Sequence, residues 1–127
     1  MADVRVLVVD DQEPFRDAAA AVLHATKGFV LVGSAFDGAA SLLAVEQLRP
    51  DLVLMDVNLP GMDGLEATRR IRASGGSPAV VLVSTYARGD LGADPLATGA
   101  DAYVAKVDFD SECLRSVWTV IQRRAQG

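Results

Sequence analysis

The chain has 127 residues, half of them hydrophobic and 23% charged, a composition that suits one globular domain and excludes a disordered chain. A net charge of -5 and a pI near 4.7 leave no basic footprint for nucleic acid, and Arg69-Arg70-Arg72 and Arg123-Arg124 read as solvated helix faces. The longest apolar runs are about six residues against the ~20 that span a bilayer, no signal-peptide pattern is evident, and the single Cys113 excludes an internal disulfide; a cytoplasmic, reducing setting is expected.

Val4-Arg5-Val6-Leu7-Val8-Val9 is short, β-branched and mostly apolar, as a buried parallel strand is, and Asp10-Asp11 end it. Pro14 suits the first turn of a helix, where a missing N–H costs nothing. Phe15, Ala18, Ala19, Val22 and Leu23 then recur at helical spacing until Gly28 stops the helix. Residues 29–32 form the second strand. Residues 37–48 form the second helix, with Ala40, Leu43, Ala44 and Leu48 as its apolar stripe and Pro50 closing it. The third strand, 52–55, ends at Asp56. A turn-rich loop follows over 58–64, and Asp63 is placed to cap a third helix over 65–73. The fourth strand, 79–83, ends at Ser84, and the fifth, 102–105, ends at Lys106. Between those two strands Gly89, Gly92, Pro95 and Gly99 predict a short, frayed or mobile helix. The last helix runs over 111–122, capped by Asp110 or Ser111, with Leu114, Val117 or Trp118, and Ile121 facing inward.

Strands alternating with helices in this way predict an α/β domain with a parallel sheet covered on both faces. Right-handed crossovers and the chain length favour a flavodoxin-like, doubly wound sheet of order 2-1-3-4-5 with five helices. The polar residues at the strand ends (Asp10, Asp11, Asp56, Ser84 and Lys106) then converge on one edge of the sheet. Three carboxylates crowded together repel one another unless something compensates, and a hard dication does so; Mg²⁺ needs only one or two carboxylates plus a phosphate. Lys106 offers a point charge and Ser84 a hydroxyl for phosphoryl oxygens, with Asp56 as the carboxylate nucleophile. Taken singly, each has a plainer reading: Asp10-Asp11 as a strand end with a helix cap, Lys106 as a surface lysine, Ser84 as a loop hydroxyl bonded to backbone. His24 reads as a helix-surface residue and Cys113 as a small buried hydrophobe.

Val-Val-Asp-Asp at 8–11, Leu-Met-Asp-Val-Asn-Leu-Pro-Gly-Met-Asp-Gly at 54–64, Ser84, and Gly-Ala-Asp-Ala-Tyr-Val-Ala-Lys at 99–106 follow in order. On these motifs residues 1–127 resemble a bacterial two-component response-regulator receiver domain. The resemblance implies a phosphoacceptor at Asp56 and a Mg²⁺ site of Asp10, Asp11, Asp56 and the Asn58 carbonyl. It implies that Lys106 and Ser84 meet the phosphoryl group, and that Ser84 and Tyr103 act as the switch pair. A sensor histidine kinase or a small phosphodonor would supply the group. The responding surface would join the helix before the fifth strand, the fifth strand and the last helix, and would address an output domain, a downstream protein or a phosphorylation-linked homodimer.

No enzymatic activity is implied beyond the domain's own phosphorylation and dephosphorylation, and no direct contact with nucleic acid or membrane. The run at 65–72 is similar to receivers that precede DNA-binding domains, so a piece of a transcriptional regulator and a complete single-domain regulator both stay open. Thr85 and Tyr86 after the hydroxyl, and Val107 after the lysine, depart from the family pattern. Thr85 rivals Ser84 for the switch role, and Asn58 and Tyr86 are placed to tune water access to an acyl phosphate. Rival expectations are an interaction module that works unphosphorylated and a Mg²⁺-dependent hydrolase with an aspartyl-phosphate intermediate.

Overall fold

The computed structural model describes residues 2–75, 78–85 and 94–126. Five parallel strands, β1 (Val4–Val9), β2 (Phe29–Ala35), β3 (Leu52–Asp56), β4 (Ala79–Ser84) and β5 (Ala102–Ala105), form one sheet in the order β2-β1-β3-β4-β5. This is the doubly wound order expected from the sequence. Among the described residues four α-helices accompany it: α1 (Glu13–Ala25), α2 (Gly38–Leu48), α3 (Gly64–Ala73) and α4 (Ser111–Gln126). None is long and apolar enough to cross a membrane.

The period of two along each strand divides the core. Val6 and Val8 of β1, Leu52 and Leu54 of β3, and Val81 and Val83 of β4 face one way, onto Ala19 and Leu23 of α1 and Leu114 and Ile121 of α4. Leu7, Val9, Val53, Met55, Val80 and Leu82 face the other way, onto α2 and onto Ala67 and Ile71 of α3. The central strands are thus apolar on both faces, which explains their uninterrupted Val/Leu runs. A fully buried side chain of this size is stabilised by about 1.5–3 kcal/mol relative to an exposed one.

Helix ends follow local chemistry. Pro14 occupies the first turn of α1. Asp37 Oδ1 accepts the Ala40 N–H at α2, Asp63 Oδ1 accepts the Glu66 N–H at α3, and Asp110 Oδ1 accepts the Cys113 N–H at α4. The α4 cap is therefore Asp110.

Several expectations need correction. The count of five helices gives way to four α-helices and two single turns of 3₁₀ helix among the described residues, one at Pro95–Thr98 and one at Lys106–Asp108. Pro95 begins the first of these, and Gly99, at φ +95°, ends it after one turn. Residues 86–93, with Gly89, Gly92 and Tyr86, lie outside the described residues. On α2 the inward face is Ala40, Leu42, Ala44, Val45 and Leu48, while Leu43 is 60% exposed. Cys113 is half-buried rather than buried, at the edge of the α1/α4 core. Trp118 packs edge-on against Phe29 at 6.4 Å between ring centroids.

Arg72 is not a solvated residue. Its Nε donates to the Gly99 carbonyl at 2.8 Å, its Nη1 to the Pro78 carbonyl at 2.6 Å, and its Nη2 to Asp101 Oδ2. Asp101 Oδ2 also accepts the Val80 N–H at 2.8 Å, and Arg124 reaches the Asp101 carbonyl from α4. The knot ties α3 and α4 to the N-terminal ends of β4 and β5.

Candidate functional site

The opposite edge of the sheet gathers the polar strand ends. Asp10 follows β1, Asp56 ends β3, Ser84 ends β4 and Lys106 follows β5. Carboxylate oxygens of Asp10, Asp11 and Asp56 all lie within 4.8 Å of one another. Asp10, Asp56 and Ser84 are buried, whereas Asp11 is exposed and leaves the cluster open on one side. The Lys106 Nζ stands 2.6 Å from Asp10 Oδ2 and 3.5 Å from Asp56 Oδ2. Residues up to 96 positions apart in the chain (106 − 10) therefore meet in one cluster, as the strand-end argument required.

Backbone geometry holds the carboxylates. The Gln12 N–H donates to Asp10 Oδ1 at 2.8 Å, and the Asn58 N–H donates to Asp56 Oδ1 at 3.3 Å. Arg16 donates from Nη1 to the Asp10 carbonyl at 2.9 Å while its guanidinium lies 4.2 Å from the Phe36 ring centroid. Gly64 begins α3 directly over the acceptor: a Cβ there would sit 1.9 Å from the Asp56 carbonyl oxygen. No other residue type fits at this approach without displacing the Asp56 backbone.

Burial pushes the Asp56 carboxyl up from 3.8 to about 6, with the Asp10 charge acting in the same direction; Lys106 and the Asn58 N–H only partly oppose them. The cluster is short of positive charge. Asp10 Oδ2 is buried and accepts no aligned hydrogen bond, although the Lys106 ammonium is close by; the contact is one of charge, not of hydrogen-bond geometry. An oxygen-only donor set with an unsatisfied buried oxygen fits a hard divalent cation.

A family described as the response regulator receiver domain matches residues 6–117. The chain belongs to that family. As a receiver domain it is 44% identical over 108 residues to a protein-glutamate methylesterase/protein-glutamine glutaminase of Nocardioides sp. (strain ATCC BAA-499 / JS614), covering 84% of this chain and 30% of that protein. It is 42% identical over 121 residues to the DNA-binding response regulator MtrA of Mycolicibacterium smegmatis, covering 94% of this chain and 51% of the relative. Among solved structures it is similar to the signal receiver domain of the putative response regulator NarL from Mycobacterium tuberculosis, with a TM-score of 0.84 and 29% identity over 100% of this chain and 99% of that one. The chain spans between 24% and 52% of the length of the first curated relatives it matches.

The sequence reading placed Asp10, Asp11, Asp56, Ser84 and Lys106 at this edge, and the receiver domain brings them there. Thr85, the rival of Ser84, is exposed, whereas Ser84 is buried as the last residue of β4. Tyr103 is half-buried in β5 against the α2/α3 core. Tyr86 lies outside the described residues. Missed by the sequence reading were Arg16, Phe36 and the packing role of Gly64.

Proposed function

We propose that this receiver domain accepts a phosphoryl group on Asp56 in a Mg²⁺-dependent reaction, and that the acyl phosphate reorganises a partner surface. The observation that carries the reading is the meeting of three carboxylates within 4.8 Å with the Lys106 ammonium against two of them. Asp10, Asp11, Asp56 and the Asn58 carbonyl would hold the ion. When bound, Mg²⁺ supplies neutralising charge for phosphoryl oxygens.

The remaining work falls to side chains of the chain itself. An Asp56 oxygen forms the new bond to phosphorus while the donor's bond to phosphorus breaks and the donor departs with that electron pair. Lys106 turns from the bare carboxylates toward the phosphoryl oxygens, to which it offers a mobile point charge. Ser84 donates its hydroxyl to another of those oxygens, and its burial at the end of β4 supports it over Thr85. Tyr103, one strand away in register with Leu82, fills space as Ser84 moves. The responding surface is β5 with α4 and the segment before β5.

The donor is a sensor histidine kinase or a small acyl phosphate, and the setting is cytoplasmic. The match to part of MtrA supports an output domain elsewhere in the protein, with DNA binding as its activity; a homodimer on phosphorylation is a further proposal for the responding surface. Incubation with Mg²⁺ and acetyl phosphate, followed by intact-mass measurement and peptide mapping, is expected to place one phosphoryl group on Asp56 and none on Asp56→Asn. An unmodified wild-type chain under these conditions would assign the domain to docking without phosphorylation.

A further inference from the structure

We propose that Phe15 is a positioning residue for phosphoryl transfer, acting through Lys106; this rests on the phosphoacceptor reading above. The Lys106 Nζ lies 4.7 Å from the centroid of the Phe15 ring, and 2.6 Å and 3.5 Å from Asp10 Oδ2 and Asp56 Oδ2. Three surfaces therefore surround the ammonium: Asp10, Asp56 and an aromatic face. The Lys106 side chain is only 14% exposed, so little water competes for it.

The ring is itself held. Phe15 is half-buried against the α1/α4 core, and its centroid is 6.1 Å from that of Phe109 at a tilt of 52°. Phe109 follows the 3₁₀ turn that begins at Lys106, and its N–H donates to the Lys106 carbonyl at 3.2 Å. The lysine is thus fixed at its backbone by the turn and at its head by the ring, and the two phenylalanines join these supports across α1 and the loop after β5.

The physical consequence concerns transfer. A lysine serves a phosphoryl group by meeting its oxygens with a point charge, and its four-carbon stem must otherwise be ordered for that meeting. A negative ring face beneath the ammonium orders the head without offering it a competing anion. It also lets the head leave Asp10 for an arriving phosphoryl oxygen without passing through open water. A leucine at 15 would keep the apolar packing and lose this second function.

The test compares Phe15→Leu, Phe15→Met and Phe15→Tyr, each in wild-type and Lys106→Met backgrounds, by the rate of Asp56 phosphorylation at saturating Mg²⁺ and acetyl phosphate. Phe15→Leu and Phe15→Met are expected to slow the maximal rate about three- to tenfold, as loss of a shielded cation–π contact implies, and Phe15→Tyr to restore it. In the Lys106→Met background the three variants should react alike. The Lys106 side-chain resonances, read by NMR without phosphodonor, should move in Phe15→Leu and return in Phe15→Tyr. Should Phe15→Leu lower folding stability too far, replacement of Phe15 by a fluorinated phenylalanine, which weakens the ring face at nearly constant shape, must slow the reaction in the same direction. A Phe15→Leu rate equal to wild type, or an equal slowing with and without Lys106, overturns the proposal. A wild-type chain that takes no phosphoryl group overturns the parent reading instead.

Discussion

Replacing Asp56 by asparagine should stabilise the metal-free fold near neutral pH. The cause is the crowding that moves the Asp56 carboxyl from 3.8 to about 6, chiefly through burial and then through Asp10. At about 1.4 kcal/mol per tenfold change in proton affinity, this amounts to about 3 kcal/mol against the ionised carboxylate. The sign follows from the direction. A carboxyl with a raised folded-state pKa favours the fold while protonated, so its contribution is fully present below about pH 4 and lost as pH rises through about 6. Asparagine does not ionise and retains the contribution at every pH. It also deprives Lys106 of one of its two carboxylates, so the expected net gain is about 1–3 kcal/mol near pH 8 and close to zero near pH 4. Urea denaturation of both proteins in EDTA, at both pH values, measures it, and titrating groups remote from Asp56 cancel in the difference. A gain as large near pH 4 as near pH 8, or no gain at all, refutes the electrostatic account. Mg²⁺ should shrink the gain, because the carboxylate then has a partner.

Gly64→Ala should cost about 2–3 kcal/mol in the same assay, since the added carbon meets the Asp56 carbonyl oxygen at 1.9 Å. Arg72→Met should cost about 1–2 kcal/mol, and should speed hydrogen exchange at the Val80 and Asp101 amides, because three acceptors lose a donor while part-exposure screens the Asp101 charge. Mg²⁺ should raise the wild-type Tm by mass action, with about 2.7 kcal/mol at a hundredfold excess over Kd, and Asp10→Ala should abolish the increment. Asp37→Ala should cost about 1 kcal/mol through loss of the α2 cap, with phosphorylation by acetyl phosphate unaffected.

Sequence reasoning reached the sheet and the gathering of polar residues at its edge because both are written in short range. A run such as residues 4–9 has few other uses, and an aspartate or lysine closing each strand falls on the same edge once the order is known. The phase of α2 was harder. Its residues are apolar nearly all round, so the choice between Leu42 and Leu43 rests on which face meets β1 and β2, and the pattern alone carries no such signal. Arg72 sits among other arginines on an amphipathic helix, and its partner Asp101 is 29 residues away; nothing local marks the pair. Phe15 fell on the inward stripe of α1 as expected, but a helical stripe does not reveal that a lysine from beyond β5 rests on the ring. Gly64 looked like one more turn residue, whereas its place is fixed by a carbonyl eight residues earlier.

The arginine knot at Pro78, Val80, Gly99 and Asp101 fastens the feet of β4 and β5, while Ser84 stands at the head of β4. From Val80 to Ser84 the strand rises about 13 Å at ~3.3 Å per residue. A rod pinned at its base tilts and does not slide, so a head displacement of about 1 Å is a rotation of about 4° on that arm. In the proposed switch such a lever would confine the motion to the Ser84 end and leave the register with β3 unchanged.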